Sequence, residues 1–583
     1  MLRRRAAAGL LLCSLLWPTF APLAQPSRPT PAPSSSQPSA QATPQPTPTP
    51  VADPVERIKD EGLNRSQVMQ TIAYLTNIVG PRLTGSPSMK RANNWTRDKL
   101  AEWGLENAHL EAWGPFGRGW TLRRFSAEVV EPQAFPLLAY PKAWSPGTNG
   151  LVTAEVVHVE ANTEEALEKY KGRLKGAIVL VGQERVLGAR FEPTATRLSE
   201  KELLELANAP DPATVPRRPS SPPTPEQLAA ARFNDRRTQF YYDEGVSLIV
   251  TPSGGSDGGM LQFVQSASVP QPFDTPSDKA IRPWHANAPR IIPQMGISYD
   301  HYNRLVRVLK AGERVRVAVN IEADFNDDDP MGYNTIAEIP GTDLRDEVVM
   351  LGAHLDSWHT ATGATDNAAG VGIMMEAVRI IRALKLQPRR TIRIALWSGE
   401  EQGLHGSRAY VREHFGPVAG SSVGASVRTG VGASAVPSGA GLQTLAFKPE
   451  YEKFNVYFNA DSGTGAVRGI YLQGNEALRP VFRQWLQPFR EFKIGDKDMS
   501  ARTITVSNAG GSDFLSFDAI GLVGLDFLQD DIEYGRRTWH SSQDTYDRIL
   551  ADDVKQAATV VAAFIYNAAM TDQKLPRKPA TRS

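Results

Sequence analysis

Apolar residues run at 348–351 and, broken only by Arg393, at 392–397. Short runs without alternation predict strands buried on both faces. Between them, Val371, Met374, Met375, Val378 and Ile381 recur at helical spacing and predict one apolar helix face. The order is strand, loop, helix, strand. Two later runs, ending near Asn459 and Leu528, predict further strands, and residues 552–570 carry Val554, Ala558, Val561 and Ile565 at helical spacing. Upstream, 66–75 and 88–103 read as helices and 109–111 as part of a strand. From 119 to 321 the character changes. Strand-like runs at 152–159, 177–181 and 246–250 alternate with short helices, and no acid or histidine cluster occurs. The Pro-rich stretch 209–225 reads as a loop, and the Gly/Ser-rich stretch 416–441 as a surface excursion.

The expected fold is α/β: a three-layer sandwich with a mixed, mainly parallel sheet. The expected divisions are a signal peptide over 1–24, a Pro/Ser/Thr-rich linker over 25–54, a catalytic part over 55–118, an inserted mixed α/β domain over 119–321, and a second catalytic part over 322–575. Leu2-Arg3-Arg4-Arg5, the apolar run 6–17 and the Leu23-Ala24-Gln25 site form the basic, apolar, small-residue succession of an export signal. A short uncleaved anchor is the alternative. The expected location is secreted or periplasmic, with no membrane span after cleavage.

Composition narrows the chemistry. Apolar content of 41% and charged content of 22% are those of a globular chain, and a net charge of +1 gives no basic surface for nucleic acid. The one cysteine, Cys13, lies in the signal segment, so a mature chain has no thiolate for catalysis or metal binding.

The candidate chemistry sits where predicted strands end, as sites do in open α/β sheets. The first strand runs into Gly352-Ala353-His354-Leu355-Asp356, the next into Gly399-Glu400-Glu401, a third into Asp461, and His540 follows the fourth. Asp366 precedes the central helix. Alone, Asp366 is an N-cap pattern, Glu400-Glu401 a solvated turn and Asp461 a turn residue. Together, five ligands with one central carboxylate suit two zinc ions or similar cations. Asp366 bridges, His354 and Asp461 serve one ion, and Glu401 and His540 serve the other. Glu400 cannot point the same way as its neighbour and is free to act as general base. Metal-binding imidazoles donate their second N–H to a carboxylate or carbonyl, so Asp356 and Asp544 are candidates to orient His354 and His540. Asp513 is open between a structural and a functional reading. No ligand falls between 119 and 321, so the insert is expected to shape substrate choice or folding.

The motifs Gly-Ala-His354-Leu-Asp356-Ser357, Asp366-Asn367, Trp397-Ser-Gly-Glu400-Glu401-Gln402-Gly403, Asn459-Ala-Asp461-Ser-Gly463 and His540-Ser-Ser-Gln-Asp544-Thr545 resemble the di-zinc exopeptidase family of secreted aminopeptidases and carboxypeptidase Q, with a protease-associated insert. The resemblance implies a zinc-dependent exopeptidase acting on dipeptides or short peptides. Residues 64–83, Gly511-Ser512-Asp513 and 528–532 look closer to carboxypeptidase Q. The bridging segment Ala364-Thr365-Asp366-Asn367-Ala368 reads more like aminopeptidases. Some of those carry a Tyr before the Ser-Asp pair; here the place is Asn508-Ala509-Gly510-Gly511, which leaves Tyr534 as a loose candidate for the oxyanion donor. The alternatives are an aminopeptidase releasing N-terminal residues, a metal-free receptor-like binding protein of the same fold, and a related one-zinc cyclase. The partner is a peptide; a homodimer is an open possibility. The roles of 187–237 and 416–441 are not given by the sequence.

Overall fold

The computed structural model describes residues 53–215, 223–254, 258–276, 278–416 and 447–578. The expected signal peptide, nearly all of the linker and nearly all of the 416–441 excursion lie outside the described residues. Everything described belongs to one compact unit, Ala52–Ser583. No described helix is long and apolar enough to cross a membrane.

The fold is mixed α/β. One eight-stranded sheet has at its centre Arg390–Trp397, Leu344–His354, Phe454–Asn459 and Gly524–Gln529, neighbours in that order and mutually parallel. Antiparallel strands flank this set: Gly332–Ile339 beside Arg390–Trp397, and Val467–Tyr471 beside Gly524–Gln529. The four parallel strands therefore deliver their carboxyl ends to one edge of the sheet, and each is buried there. Phe454–Asn459 and Gly524–Gln529 are buried at every position, as expected of strands covered on both faces.

The central helix, Ala369–Ala383, differs from its predicted one-sided face. Every residue from Ala369 to Ile381 is buried. The sheet covers one side, and the helices Ala551–Met570, Val68–Ala73 and Pro54–Asn64 cover the others. A helix buried all round needs small residues where neighbours come close. A Cβ at Gly370 would stand 2.3 Å from the Ala460 carbonyl oxygen, and one at Gly372 would stand 2.6 Å from the Ile72 side chain. Its charged residues are paired internally: Arg379 binds Glu376 and, across the layer, Glu61 at 2.9 Å.

A second eight-stranded sheet is built from strands between Gly119 and Asn326. Its long antiparallel pair, Gly119–Glu131 with Arg316–Asn326, sets Gly119 opposite Asn326, so the chain enters and leaves this sheet side by side. The return strand runs to Asn326, past the expected boundary at 321. Of the expected 209–225 loop, the described part lies between the helices Glu200–Ala207 and Pro225–Glu244, both opened by capping boxes, at Ser199 and Thr224.

Candidate metal centre

His354 is the last residue of its strand, and its imidazole is fully buried. Its Nδ1 lies 3.0 Å from the Asp356 carbonyl oxygen, which orients Nε2 outward from the sheet edge. Nε2 stands 3.0 Å from Asp461 Oδ1 and 3.3 Å from Asp366 Oδ1. On the opposite side, His540 Nε2 stands 3.0 Å from Glu401 Oε2 and 3.3 Å from Asp366 Oδ2. The two oxygens of one carboxylate thus serve two separate groups of donors. Ligands set tetrahedrally at about 2.0–2.1 Å around zinc stand about 3.3–3.4 Å from one another. The observed spacings of 3.0–3.3 Å fit a cation in each group. Glu401 Oε1 is buried with no hydrogen-bond partner, an orphan that a cation satisfies.

The electrostatics agree. Burial pushes the Glu401 carboxyl up to about 7 and Glu400 well above the usual carboxylate range, with Asp461 and Asp513 adding to the effect on Glu400. Burial opposes ionisation of Asp366 too, but the His354 hydrogen bond and the charges of His540 and His354 hold it below its ordinary value. Burial works against a charged His540, yet Glu401 and Asp366 bring it to about 9. The cluster draws positive charge onto its imidazoles, which is what a cradle for cations does in their place.

Residues 334–565 match the model of Peptidase family M28. The chain carries an M28 peptidase domain. Mouse carboxypeptidase Q is 25% identical over 521 residues, covering 88% of each chain, and the human protein is 24% identical over 519 residues with the same coverage. The crystal structure of a peptidase M28 precursor from Shewanella amazonensis SB2B superposes with a TM-score of 0.58 at 23% identity, covering 90% of this chain and 98% of that one. The chain is a metallopeptidase, a hydrolase.

Within the M28 domain the supporting contacts depart from the local reading in two places. Asp356 orients His354 through its carbonyl; its carboxylate, 3.8 Å from the ring, is engaged elsewhere. It accepts from Thr84 Oγ1 at 2.9 Å and from the backbone N–H groups of Glu400 and Glu401 at 3.3 Å each, and so sets the turn that presents base and ligand. Asp544 does not touch His540. Its carboxylate accepts from Thr365 N, Thr365 Oγ1 and Asp366 N at 2.6, 2.8 and 3.1 Å, fixing the bridging residue instead. Burial pushes the Asp544 carboxyl up to about 7.

His540 is backed from the second sheet. Gln265 Nε2 stands 3.2 Å from His540 Nδ1. For Nε2 to bind a metal, Nδ1 must carry the proton, so the amide of Gln265 turns to accept through its oxygen. The neighbouring backbone closes the clasp: Phe263 N donates to His540 O at 2.8 Å and Ser542 N to Leu261 O at 2.8 Å. The segment around Gln265 thus secures the loop that carries His540. Gln265→Ala is expected to weaken metal binding by about 10–100-fold, read by chelator competition. Thr196 pairs with Ile532, and Arg197 binds Asp530 and Asp553, so part of 187–237 grips the loop that carries Tyr534. Tyr534 lies beside the Asp366 carboxylate and lowers its proton affinity.

Arg82 escaped the motif reading, although it lies in the Gly80–Ser86 turn. It is fully buried. Its Nε donates to Leu355 O at 2.7 Å, Nη1 to Thr362 O at 2.8 Å and Nη2 to Gly363 O at 2.7 Å. It therefore pins both ends of the loop between His354 and Asp366. Burial pushes its pKa down to about 10, while Asp544, Asp356, Asp366 and Glu401 oppose the shift, so it stays charged at neutral pH. Arg82→Met leaves these carbonyls without donors and should destabilise the protein by at least about 3 kcal/mol. Urea unfolding measures this, and Arg82→Lys should recover only part, lacking the planar fork.

Proposed function

We propose that the protein is an extracytoplasmic di-zinc exopeptidase that hydrolyses dipeptides or short peptides; the relatives named carboxypeptidase Q support the carboxypeptidase part of this reading. The observation that carries this reading is the division of donors between the two oxygens of Asp366. His354 and Asp461 would hold one zinc, Glu401 and His540 the other, with Asp366 shared. Bound zinc supplies Lewis-acid polarisation of the scissile carbonyl and lowers the pKa of a water from 15.7 to about 7. Glu400 takes the proton of the attacking water and delivers it to the amide nitrogen as the C–N bond breaks. Tyr534 is the candidate donor to the oxygen of the attacked carbonyl. The basic and apolar succession at residues 2–24 supports export, and the side-by-side ends of the second sheet support reading it as an inserted module.

The test compares N-blocked and free dipeptides on metal-loaded enzyme. Cleavage of N-blocked substrates that have a free carboxylate is the expected result. A strict need for a free amino group supports the aminopeptidase reading, which the Ala364–Ala368 segment favours. Purified protein that binds no metal rejects both in favour of a binding protein.

A further inference from the structure

Arg408 lies in the first turns of the helix His405–His414, immediately after the Glu400-Glu401 turn. The turn and helix are one continuous hydrogen-bonded piece: Leu404 N donates to Glu400 O, and Arg408 N to Leu404 O. On its other side, Ser407 Oγ shares a 2.8 Å hydrogen bond with Ser516 Oγ, and Ser516 N donates to Asp513 O. The root of the Arg408 side chain is thus fixed between the segment of Glu400 and the segment of Asp513. Its guanidinium is within electrostatic range of both carboxylates, and the side chain is half-buried. Yet among the described residues it makes no hydrogen bond or ion pair. Arg82, Arg379 and Arg390, which are buried, are all engaged by carbonyls or carboxylates. Five N–H donors held partly out of water, within electrostatic range of Glu400, have no partner among the described residues.

The position of Glu400 says what the partner is. The leaving amine must come within hydrogen-bond reach of Glu400 to receive its proton. In the last residue of a peptide, the carboxylate is joined to the same carbon as that amine, two bonds from the nitrogen. A cation beside Glu400 therefore meets that carboxylate. It also offsets a repulsion, because a substrate with a free carboxylate must enter past Glu400, Asp461 and Asp513.

We propose that Arg408 forms the leaving-residue subsite and binds the free carboxylate of the peptide's C-terminal residue. This rests on the exopeptidase reading above. The other source of the same chemistry is an acidic side chain on the leaving residue.

The experiment is steady-state kinetics with metal-loaded full-length enzyme, Arg408→Met and Arg408→Lys. Three substrates share one N-terminal residue: an X-Leu dipeptide, its C-terminal amide, and an X-Glu amide. Arg408→Met should raise KM for the X-Leu acid about 10–100-fold, the scale of a charge-assisted hydrogen bond. It should leave kcat within a few-fold, KM for the X-Leu amide unchanged and metal content at the wild-type value. Arg408→Lys, retaining the charge without the planar fork, should fall between. Equal losses on acid and amide, or no loss on either, overturn the subsite while leaving wild-type peptide hydrolysis intact. A loss confined to the X-Glu amide overturns the terminal-carboxylate assignment in favour of the acidic side chain. A wild-type enzyme that cleaves none of the three fails the exopeptidase reading itself, and the subsite with it.

Discussion

Glu400→Gln is expected to lower kcat by at least about a hundredfold while both metals stay bound and KM changes little. Glutamine keeps the shape and removes the base. Proton transfer of this kind is worth about 10²–10⁴ in rate, or about 3–5 kcal/mol. Glu400 and Glu401 are consecutive, and Asp356 holds both their N–H groups, so the turn survives the change. The neighbouring substitution should fail differently. Glu401 stands 3.0 Å from His540 and has one orphaned oxygen, so Glu401→Gln exchanges a charged ligand for a weak neutral one. It should lose metal first, and excess zinc should restore part of the rate. Metal content with kcat and KM for both variants at controlled zinc makes the comparison. If Glu400→Gln loses metal and Glu401→Gln keeps it, the roles are exchanged.

Asp366→Ala should abolish activity and empty both positions together. Each oxygen of Asp366 faces a different imidazole at 3.3 Å, so no other single residue belongs to both groups. The loss should be cooperative. By contrast, Asp461→Ala removes a donor from the His354 side alone and should leave one tightly held ion. Elemental analysis after gel filtration distinguishes the two. Two tightly bound ions in Asp366→Ala would sink the shared-carboxylate assignment.

The gathering of four of the five donor side chains was legible because three lie at or just after the ends of parallel strands, which meet at one sheet edge. His354, Glu401 and Asp461 follow from that rule, and Asp366 from its place before the central helix. What supports them was not legible from proximity in the chain. Asp544 is four residues from His540, yet binds Asp366, 178 residues away, because the turn after His540 directs the carboxylate inward. Gln265 carries no motif, and glutamines are common on surfaces; only the backbone pairing of its neighbours 261–263 with the His540 loop brings its side chain to the imidazole. The one-sided helix was misjudged because Ala and Gly count as neutral in an apolar pattern, although here they are what lets neighbours close on all sides. Arg82 had a signal, a long cation among Gly, Pro and Thr in a turn that otherwise needs no charge.

The clasp from Arg82 to Thr362 joins positions 280 residues apart, and that from Gln265 to His540 joins positions 275 apart. Contacts this distant in sequence form late and slowly. During synthesis from the N-terminus, His540 leaves the ribosome after every other donor and after the whole second sheet. A nascent chain that ends before His540 therefore lacks one member of the cluster. Peptide hydrolysis begins only when almost the entire polypeptide is present and closed upon itself.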